Sequence, residues 1–317
     1  MDTITHGLIG ASLSKAGFYQ RFGRTAILAS TLGAVFPDFD IVASLFGPEF
    51  SLRYHRGITH SLVCAPFFAM VLALFIYRFS SLKRFPFIVL MVALGIYSHI
   101  FFDLLTSYGT MVFAPLSVKR YSLNLVFILD PFITVPVLLG LVVGSYRKEL
   151  AFRVSVSLFL FLFLYLLVCS YAKGVALKKL KEFSSGMQVE VVRSSIYPGM
   201  LAPVFWMGVV ETRDAFYKFD IDIYRGEARV FKRFGKIQDN QFTEIARQLR
   251  VTKVYLWFAD FPVMQYRNEN GKHIVEFFDL RFGMIPDRIP FKLEVIFSRN
   301  GSLERVFLNG RLVKRQG

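Results

Sequence analysis

The sequence predicts an α-helical polytopic membrane domain of four to six helices, followed by a soluble, strand-rich α+β domain. Of its 317 residues, 54% are hydrophobic, and the mean hydropathy of +0.46 exceeds that of ordinary soluble domains. The long apolar runs all lie before residue 174. After that position charged residues become frequent and the hydrophobic pattern alternates with a period of two. We therefore predict a helical membrane domain over residues 1–173 and a soluble domain over residues 174–317.

Six apolar segments are predicted to form the helices of the membrane domain. Four of them approach the roughly 20 residues needed to cross a bilayer, namely residues 58–77, 85–102, 125–145 and 154–171. Two earlier segments, residues 4–18 and 25–36, are shorter, and Lys15 interrupts the first. We expect these two to form a helical hairpin that turns at residues 21–24.

The distribution of positive charge predicts the orientation in the membrane. The loops at residues 19–24, 78–84 and 146–153 contain eight Lys and Arg residues, whereas the loops at residues 47–57 and 105–124 contain four. Cytoplasmic loops carry the excess of positive charge, so the first set is predicted to be cytoplasmic. We expect a multi-pass protein of the bacterial cytoplasmic (inner) membrane, with the lipid bilayer as its partner and the C-terminal domain outside. The N-terminus lacks the pattern of a cleavable signal peptide, so we expect Met1 to be retained.

The C-terminal region reads as strands and one helix. Alternating patterns predict strands at residues 219–224, 254–258, 273–278 and 292–297, and residues 242–249 are typical of an amphipathic helix. Asn270-Gly271 and Asn300-Gly301 each separate two alternating runs and predict hairpin turns.

Charge and cysteine content exclude some functions. The net charge is +15, but the basic residues do not form a stripe interleaved with aromatic residues, so we expect no nucleic acid as a stable partner. The two cysteines, Cys64 and Cys169, lie inside apolar stretches. They therefore indicate neither a disulfide framework nor a thiolate metal site.

The histidines cluster in the predicted membrane domain. Four of the five lie before residue 104, and ionisable residues in apolar segments are rarely placed there without a function. His99 and Asp103 are four residues apart, which puts both on one face of a helix. Asp38 and Asp40 follow Pro37 and offer two carboxylates close together. Such a cluster predicts a metal site, for which we select seven ligands: His6, Asp38, Asp40, His55, His60, His99 and Asp103.

The predicted helices bring these groups to a common depth. At 1.5 Å per residue, His6, Asp38 and His99 each lie roughly 21 to 23 Å from the predicted cytoplasmic turns, and His60 lies about 27 Å from them. We therefore expect the four groups to meet in one layer near the opposite, extracytoplasmic face, with the loop of His55 closing over them.

Imidazole and carboxylate ligands suit a divalent metal, for which we predict zinc, with manganese as an alternative. Zinc generates a hydroxide nucleophile at neutral pH, and Asp40 or Asp103 is a candidate general base. Arg56 is a candidate for holding an anionic substrate such as a phosphoester. The residues thus predict a metal-dependent hydrolase with Asp40, Asp103 and Arg56 in catalysis.

Four short blocks resemble the YdjM-like family of membrane-bound metal-dependent hydrolases. They are Asp2-x-x-Thr5-His6, Pro37-Asp38-x-Asp40, His55-Arg56-Gly57-x-Thr59-His60-Ser61 and His99-x-x-x-Asp103. The resemblance covers the first 180 residues or so. This family is distantly similar to zinc-dependent phospholipase C and single-strand nucleases, which implies a phosphoester or lipid-related substrate.

Two other classes of function stay open. A non-catalytic metal-binding or transport protein would use the same residues, although transport favours polar residues throughout the helices and residues 125–145 and 154–171 offer almost none. An inactive scaffold would bind an envelope partner through its C-terminal domain. At the level of residues, Asp2 and Asp130 have the alternative role of capping helices, and we take His273 as an ordinary residue of the C-terminal domain.

Overall fold

The computed structural model describes residues 1–187, 189–283 and 290–315. The chain divides into two compact units. The first consists of Met1–Asp40, Arg56–Tyr171 and Met200–Pro203, and the second consists of Ile41–His55, Ala172–Gly199 and Val204–Gly317. Each unit thus contains segments from both halves of the chain. Whether residues 1–173 and 174–317 are separate folding domains stays a prediction.

The first unit is helical. Its helices are α1 (Thr3–Lys15), α2 (Tyr19–Phe22), α3 (Arg24–Val35), α5 (Ala65–Phe79), α6 (Phe85–Leu104), α7 (Pro131–Tyr146) and the first part of α8 (Ala151–Gly186), while α4 (Pro48–Tyr54) belongs to the second unit. Two 3₁₀ helices, Phe36–Phe46 and Ile58–His60, follow α3 and α4. Both carry residues of the predicted metal site.

Three helical segments are long and apolar enough to cross a membrane. They are Arg24–Phe46 with 23 residues, Phe85–Leu104 with 20 and Lys148–Gly186 with 39, and a fourth is obtained if Pro48–His60 and Ala65–Phe79 form one broken span. Pro131–Tyr146 is apolar but shorter. The helical membrane region followed by a strand-rich region is confirmed, with three or four candidate spans in the described residues.

Two predicted helices begin later than expected, for local reasons. The segment predicted from residue 58 becomes α-helical only at Ala65, because the Ser61 hydroxyl accepts hydrogen bonds from the backbone N–H groups of Val63 (3.1 Å) and Cys64 (3.3 Å) in a turn that precedes the helix. The segment predicted from residue 125 begins at Pro131, where Asp130 caps the helix by accepting from Phe132 N–H at 2.9 Å.

Helices α1, α3 and α6 pack closely because small residues line their contacts. A Cβ atom added at Gly95 of α6 would lie 2.4 Å from the Ser30 carbonyl oxygen of α3, and one added at Gly33 would lie 2.3 Å from the Val92 carbonyl oxygen. Only glycine permits backbones to approach this closely. Lys15, which interrupts the first apolar segment, is buried and donates to the Ser145 hydroxyl of α7 at 2.8 Å.

The outer surface of the first unit is apolar. Phe67 and Leu74 of α5 are 64% and 62% exposed, Leu139 of α7 is 57% exposed, and Leu160 and Phe163 of α8 are each 58% exposed. Patches of this kind are rare on soluble proteins. They are the surface expected of helices surrounded by lipid.

The second unit contains two antiparallel sheets whose strand orders follow the chain. The four-stranded sheet comprises β1 (Val191–Pro198), β2 (Phe205–Thr212), β3 (Ala215–Asp222) and β4 (Glu227–Gly235), and the five-stranded sheet comprises β5 (Pro262–Glu269), β6 (Lys272–Asp279), β7 (Leu293–Phe297), β8 (Leu303–Leu308) and β9 (Arg311–Arg315). Helices α9 (Gln241–Gln248) and α10 (Arg250–Phe258) connect them.

Both faces of the four-stranded sheet are covered. One face contributes Met207 and Phe216 to a core shared with Phe278 of the second sheet. On the other face Trp206 packs against Ala176 at the C-terminal end of α8. The segment Ile41–His55 also joins this unit through α4, where Arg53 stacks over the Trp257 ring at 4.2 Å and Glu49 pairs with Arg250 at 2.8 Å.

Most elements predicted in this region are confirmed, and one is wrong. Predicted strands at residues 219–224, 273–278 and 292–297 overlap β3, β6 and β7, the predicted helix at 242–249 coincides with α9, and both predicted hairpin turns join consecutive strands. Residues 254–258, predicted as a strand, belong to α10. The buried residues Val251, Tyr255 and Phe258 follow a helical spacing that a five-residue window does not reveal.

Candidate metal centre

Four predicted ligands converge on one point. Helix α6 presents His99 and Asp103 one turn apart, and both side chains are fully buried. Asp38 comes from the 3₁₀ helix that continues α3, and His60 ends the short 3₁₀ helix before α5. One ligand atom from each of the four residues lies within 4.8 Å of all the others, so the group could hold a metal ion.

The distances between these atoms are short and similar. His60 Nε2 lies 3.0 Å from His99 Nε2 and 3.2 Å from Asp103 Oδ2. His99 Nε2 lies 3.5 Å from both Asp38 Oδ1 and Asp103 Oδ2, and His60 Nε2 lies 3.8 Å from Asp38 Oδ1. Two imidazole nitrogens therefore face each other between two carboxylate oxygens.

Neighbouring groups fix the tautomers of both rings. His99 Nδ1 lies 2.6 Å from the Ala34 carbonyl oxygen, and His60 Nδ1 lies 3.2 Å from Asp40 Oδ2. Both oxygens accept, which favours a proton on each Nδ1. In the neutral form each ring then offers an Nε2 lone pair to the group.

With both rings in this form, the two Nε2 lone pairs face each other across an N–N distance of 3.0 Å. They repel each other unless a cation or a proton lies between them. Orientation of ligand imidazoles through the second ring nitrogen is typical of metal sites. Together with the two carboxylates, the donor set of this buried site fits a divalent metal.

His6 and Arg56 contact the group through Asp103. The ring of His6 stacks on that of His99 with centroids 3.6 Å apart, and His6 Nε2 lies 3.1 Å from Asp103 Oδ1. Arg56 Nε lies 2.9 Å from Asp103 Oδ2, and its Nη1 donates to Thr106 Oγ1 at 2.9 Å. The Met1 amino group also contacts Asp103. Asp103 is thus surrounded by donors, which compensate the cost of burying its charge.

Asp40 lies beside His60, outside the group of four. Besides His60 Nδ1, Asp40 Oδ2 accepts from the Arg56 backbone N–H at 2.8 Å and from the Thr59 hydroxyl at 3.0 Å. These contacts give Asp40 a positioning role towards His60. Its predicted roles as ligand and general base stay predictions.

Two further candidates, His55 and Asp2, do not belong to the group of four. His55 follows the last residue of α4, is half-buried and belongs to the second unit. It is not one of the four residues that converge. Its role as a ligand stays a prediction. Asp2 caps α1, since it accepts from the Thr5 N–H at 2.9 Å and from the Thr5 hydroxyl at 2.6 Å.

Several contacts of the site were not anticipated from the sequence. The Thr3 hydroxyl donates to Asp38 Oδ2 at 2.5 Å. Thr59 contacts Asp40, Thr106 contacts Arg56, and the Ala34 carbonyl group contacts His99. Thr3 and Thr59 lie within or beside the motif blocks, which is a signal for an accessory role. No sequence signal points to Ala34, because it acts through its backbone.

Comparison with known proteins agrees with this architecture. The sequence profile of the YdjM inner membrane protein family matches residues 1–176, more than half of the chain. "Uncharacterized protein YfhP" from Bacillus subtilis (strain 168) is 31% identical over 140 residues, which are 42% of this chain and 43% of that protein. The match therefore spans less than half the length of this curated relative. No solved structure matches the chain significantly. The four histidine and aspartate blocks, the apolar helices and the profile match agree, and the chain belongs to the YdjM inner membrane protein family.

Proposed function

We propose that the protein is a membrane-bound, metal-dependent hydrolase. The observation that carries this proposal is the pair of Nε2 atoms, 3.0 Å apart, between two carboxylates. In a tetrahedral zinc site, bonds of about 2.0–2.1 Å place neighbouring ligand atoms about 3.3 Å apart. The three distances between the donor atoms of His60, His99 and Asp103 are 3.0, 3.2 and 3.5 Å, which supports zinc, with manganese as the alternative.

The two carboxylates of the group differ in exposure, and this suggests their roles. When bound, zinc supplies Lewis acidity and a hydroxide nucleophile at neutral pH. The Asp38 side chain is 12% exposed, whereas those of His60, His99 and Asp103 are fully buried. Asp38 therefore lies where water reaches the group. We propose that His60, His99 and Asp103 would hold the metal, that the fourth position would be open for water, and that Asp38 beside it is the proton acceptor. Asp40 and Asp103, the general bases suggested by the sequence, already accept from several donors.

A phosphoester with a lipid-like portion is the proposed substrate. Phe39, next to Asp38 in the chain, is 64% exposed, and we propose that it offers an apolar surface to an acyl chain of the substrate. Arg56 is 2% exposed and pairs with Asp103. We propose that this guanidinium positions Asp103 and balances the charge of a substrate phosphate beside the ligands.

Metal content is the first test. The full chain, purified in detergent, is analysed by mass spectrometry as wild type, as the double variant His60→Ala, His99→Ala, and as the control His273→Gln in the second unit. We expect about one ion per chain in wild type and control and none in the double variant. Well-folded wild type that stays metal-free after metal is added back would refute the proposal.

Activity separates the hydrolase from a non-catalytic metal-binding scaffold. Phospholipids and a chromogenic phosphodiester are incubated with the metal-loaded protein. We expect hydrolysis that a chelator abolishes and zinc restores, and that Asp38→Asn lowers. A wild type that binds metal but cleaves none of these substrates would favour the scaffold.

A further inference from the structure

A groove with a volume of about 620 Å³ lies between α3 and the C-terminal end of α5. Arg24 at its edge is ten residues before Ala34, whose carbonyl group contacts His99. At 1.5 Å per residue this end of the groove lies about 15 Å from that contact along α3, whereas Leu32 at the other end is two residues before Ala34. Its volume is in the range of pockets that enclose small ligands. It does not share a lining residue with the metal centre.

The walls of the groove are formed by apolar side chains that are exposed on the surface. Leu28 on α3 is 52% exposed, and Phe75 and Phe79 on α5 are 62% and 73% exposed. Ile27 and Leu32 complete the wall on α3. In a membrane-spanning helix pair, such walls match the acyl chain of a lipid better than any water-soluble ligand.

One end of the groove is polar. Arg24, Thr25, Ser80 and Ser81 line it there, and the hydroxyl groups of Thr25 and Ser80 lie 3.1 Å apart. The Arg78 guanidinium lies over the ring of the wall residue Phe79, 5.7 Å from its centroid. Hydrogen-bond donors and the Arg24 guanidinium thus line this end, and Arg78 contacts the wall residue Phe79.

The charged side chains of the two stretches of chain that form this end are all positive. Residues 16–37 and 61–102, which contain α3, α5 and most of α6, include no Asp or Glu. Within these stretches, the helix ends and the segment between α5 and α6 contain five cations, Arg21, Arg24, Arg78, Lys83 and Arg84. Clusters of Lys and Arg at the end of a membrane helix attract anionic lipid headgroups.

We propose that this groove binds one anionic phospholipid of the surrounding membrane. One acyl chain lies along Leu28, Phe75 and Phe79, and the phosphate accepts hydrogen bonds from Arg24 and the Thr25 and Ser80 hydroxyls. The polar end that receives the phosphate lies about 15 Å along α3 from the contact between Ala34 and His99. This lipid is therefore proposed as a bound partner and not as the substrate of the proposed hydrolase.

Native mass spectrometry of the full chain tests the proposal. The protein is released from detergent after incubation with phosphatidylglycerol or phosphatidylcholine of identical acyl chains. We expect wild type to retain phosphatidylglycerol about fivefold more strongly than phosphatidylcholine. This is about the contribution of one cation to the binding of an anionic lipid at the membrane surface. Arg24→Gln should abolish this preference, whereas Arg147→Gln, in another loop of the first unit, should keep it.

A second variant tests the apolar walls. Leu28→Trp fills the groove and should lower retention of both lipids, whereas Leu139→Trp on α7 should not. Photoactivatable phosphatidylglycerol should label peptides of α3 and α5 in wild type, a result that does not depend on how a variant folds. Equal retention of the two lipids by wild type, labelling confined to other helices, or displacement of the lipid by inorganic phosphate would each overturn the proposal.

Discussion

His60 and His99 each use one ring nitrogen to contact an acceptor outside the group of four. Asp40 holds His60 Nδ1 at 3.2 Å and the Ala34 carbonyl group holds His99 Nδ1 at 2.6 Å. These contacts set which nitrogen keeps a lone pair, so they decide whether the rings can act as ligands. The chemistry of the site therefore depends on Asp40 even though Asp40 lies outside the group.

Removing the Asp40 carboxylate should weaken metal binding without abolishing it. Groups that orient ligand histidines typically contribute 10–100-fold to metal affinity. We expect Asp40→Ala to lower the affinity for zinc by about 10–100-fold, measured by competition with a chelating dye. Asp40→Asn keeps an oxygen that accepts from His60 Nδ1 and should restore most of the affinity. Equal affinities of Asp40→Ala and wild type would show that Asp40 does not orient the ring.

The charge of Glu211 in the second unit should contribute to stability only above acidic pH. Burial alone raises the pKa of Glu211, but hydrogen bonds from Lys236 and Arg193 outweigh it and lower the pKa below its usual value. A lowered carboxyl pKa stabilises the folded state above the pKa of the unfolded chain, about 4.3. This contribution is lost as the pH falls through the folded pKa.

We therefore expect Glu211→Gln to destabilise the second unit at pH 7 and to lose this effect in acid. Both tryptophans, Trp206 and Trp257, lie in the second unit, so denaturant unfolding followed by their fluorescence reports on that unit. Glu244→Gln, at an exposed site on α9, is the control. A destabilisation by Glu211→Gln that is independent of pH would contradict the assignment.

At the level of elements, the distance between α3 and α6 affects the contacts of the metal centre. Gly95 lies one turn before His99, and its close approach to Ser30 and Ala34 leaves no room for a Cβ atom. Any side chain at position 95 must separate the two helices. The Ala34 carbonyl group would then withdraw from His99 Nδ1.

Gly95→Ala should therefore lower both stability and metal affinity. Overpacking of this kind typically costs about 1–3 kcal/mol, and we expect a lower melting temperature in detergent together with weaker zinc binding. Gly17→Ala is the control, because nothing lies within 4 Å of its added Cβ atom. Unchanged stability of Gly95→Ala would show that the helices can move apart freely.

At the scale of the whole molecule, the chain leaves the first unit after Asp40 and returns at Arg56. The segment between them, which contains α4, belongs to the second unit. It lies in the chain between the motif block that ends at Asp40 and the later motif residues of the first unit. The orientation of both units in the membrane rests on the charge of the loops, and we propose that the C-terminal region is extracytoplasmic.

Reporter fusions test this orientation. A fusion after Arg84 should behave as cytoplasmic, and one after Lys181 should behave as extracytoplasmic, because eight positive residues lie in the loops of the first side and four in the loops of the other. The paired fusions control for expression. A cytoplasmic signal after Lys181 would place the C-terminal region on the inner side and remove the proposed orientation.

The sequence by itself determined the class of fold and the family, and its seven predicted ligands include the four residues that converge. Long apolar runs and period-two patterns are local signals, so the membrane helices and most strands were predictable, while α10 was not. The spacing of His99 and Asp103, and the common depth of Asp38 and His60, predicted that these groups meet.

Only the tertiary structure decided how the candidates divide into roles. Asp40 and the Ala34 backbone carbonyl group determine which ring nitrogen of His60 and of His99 faces the group of four. Every residue has a backbone carbonyl group, so the residue type does not show which one makes this contact. His55 belongs to the second unit because α4 packs there against α10, a contact between residues about 200 positions apart. Local patterns report neighbours along the chain, whereas ligand sets are made by distant segments that packing brings together.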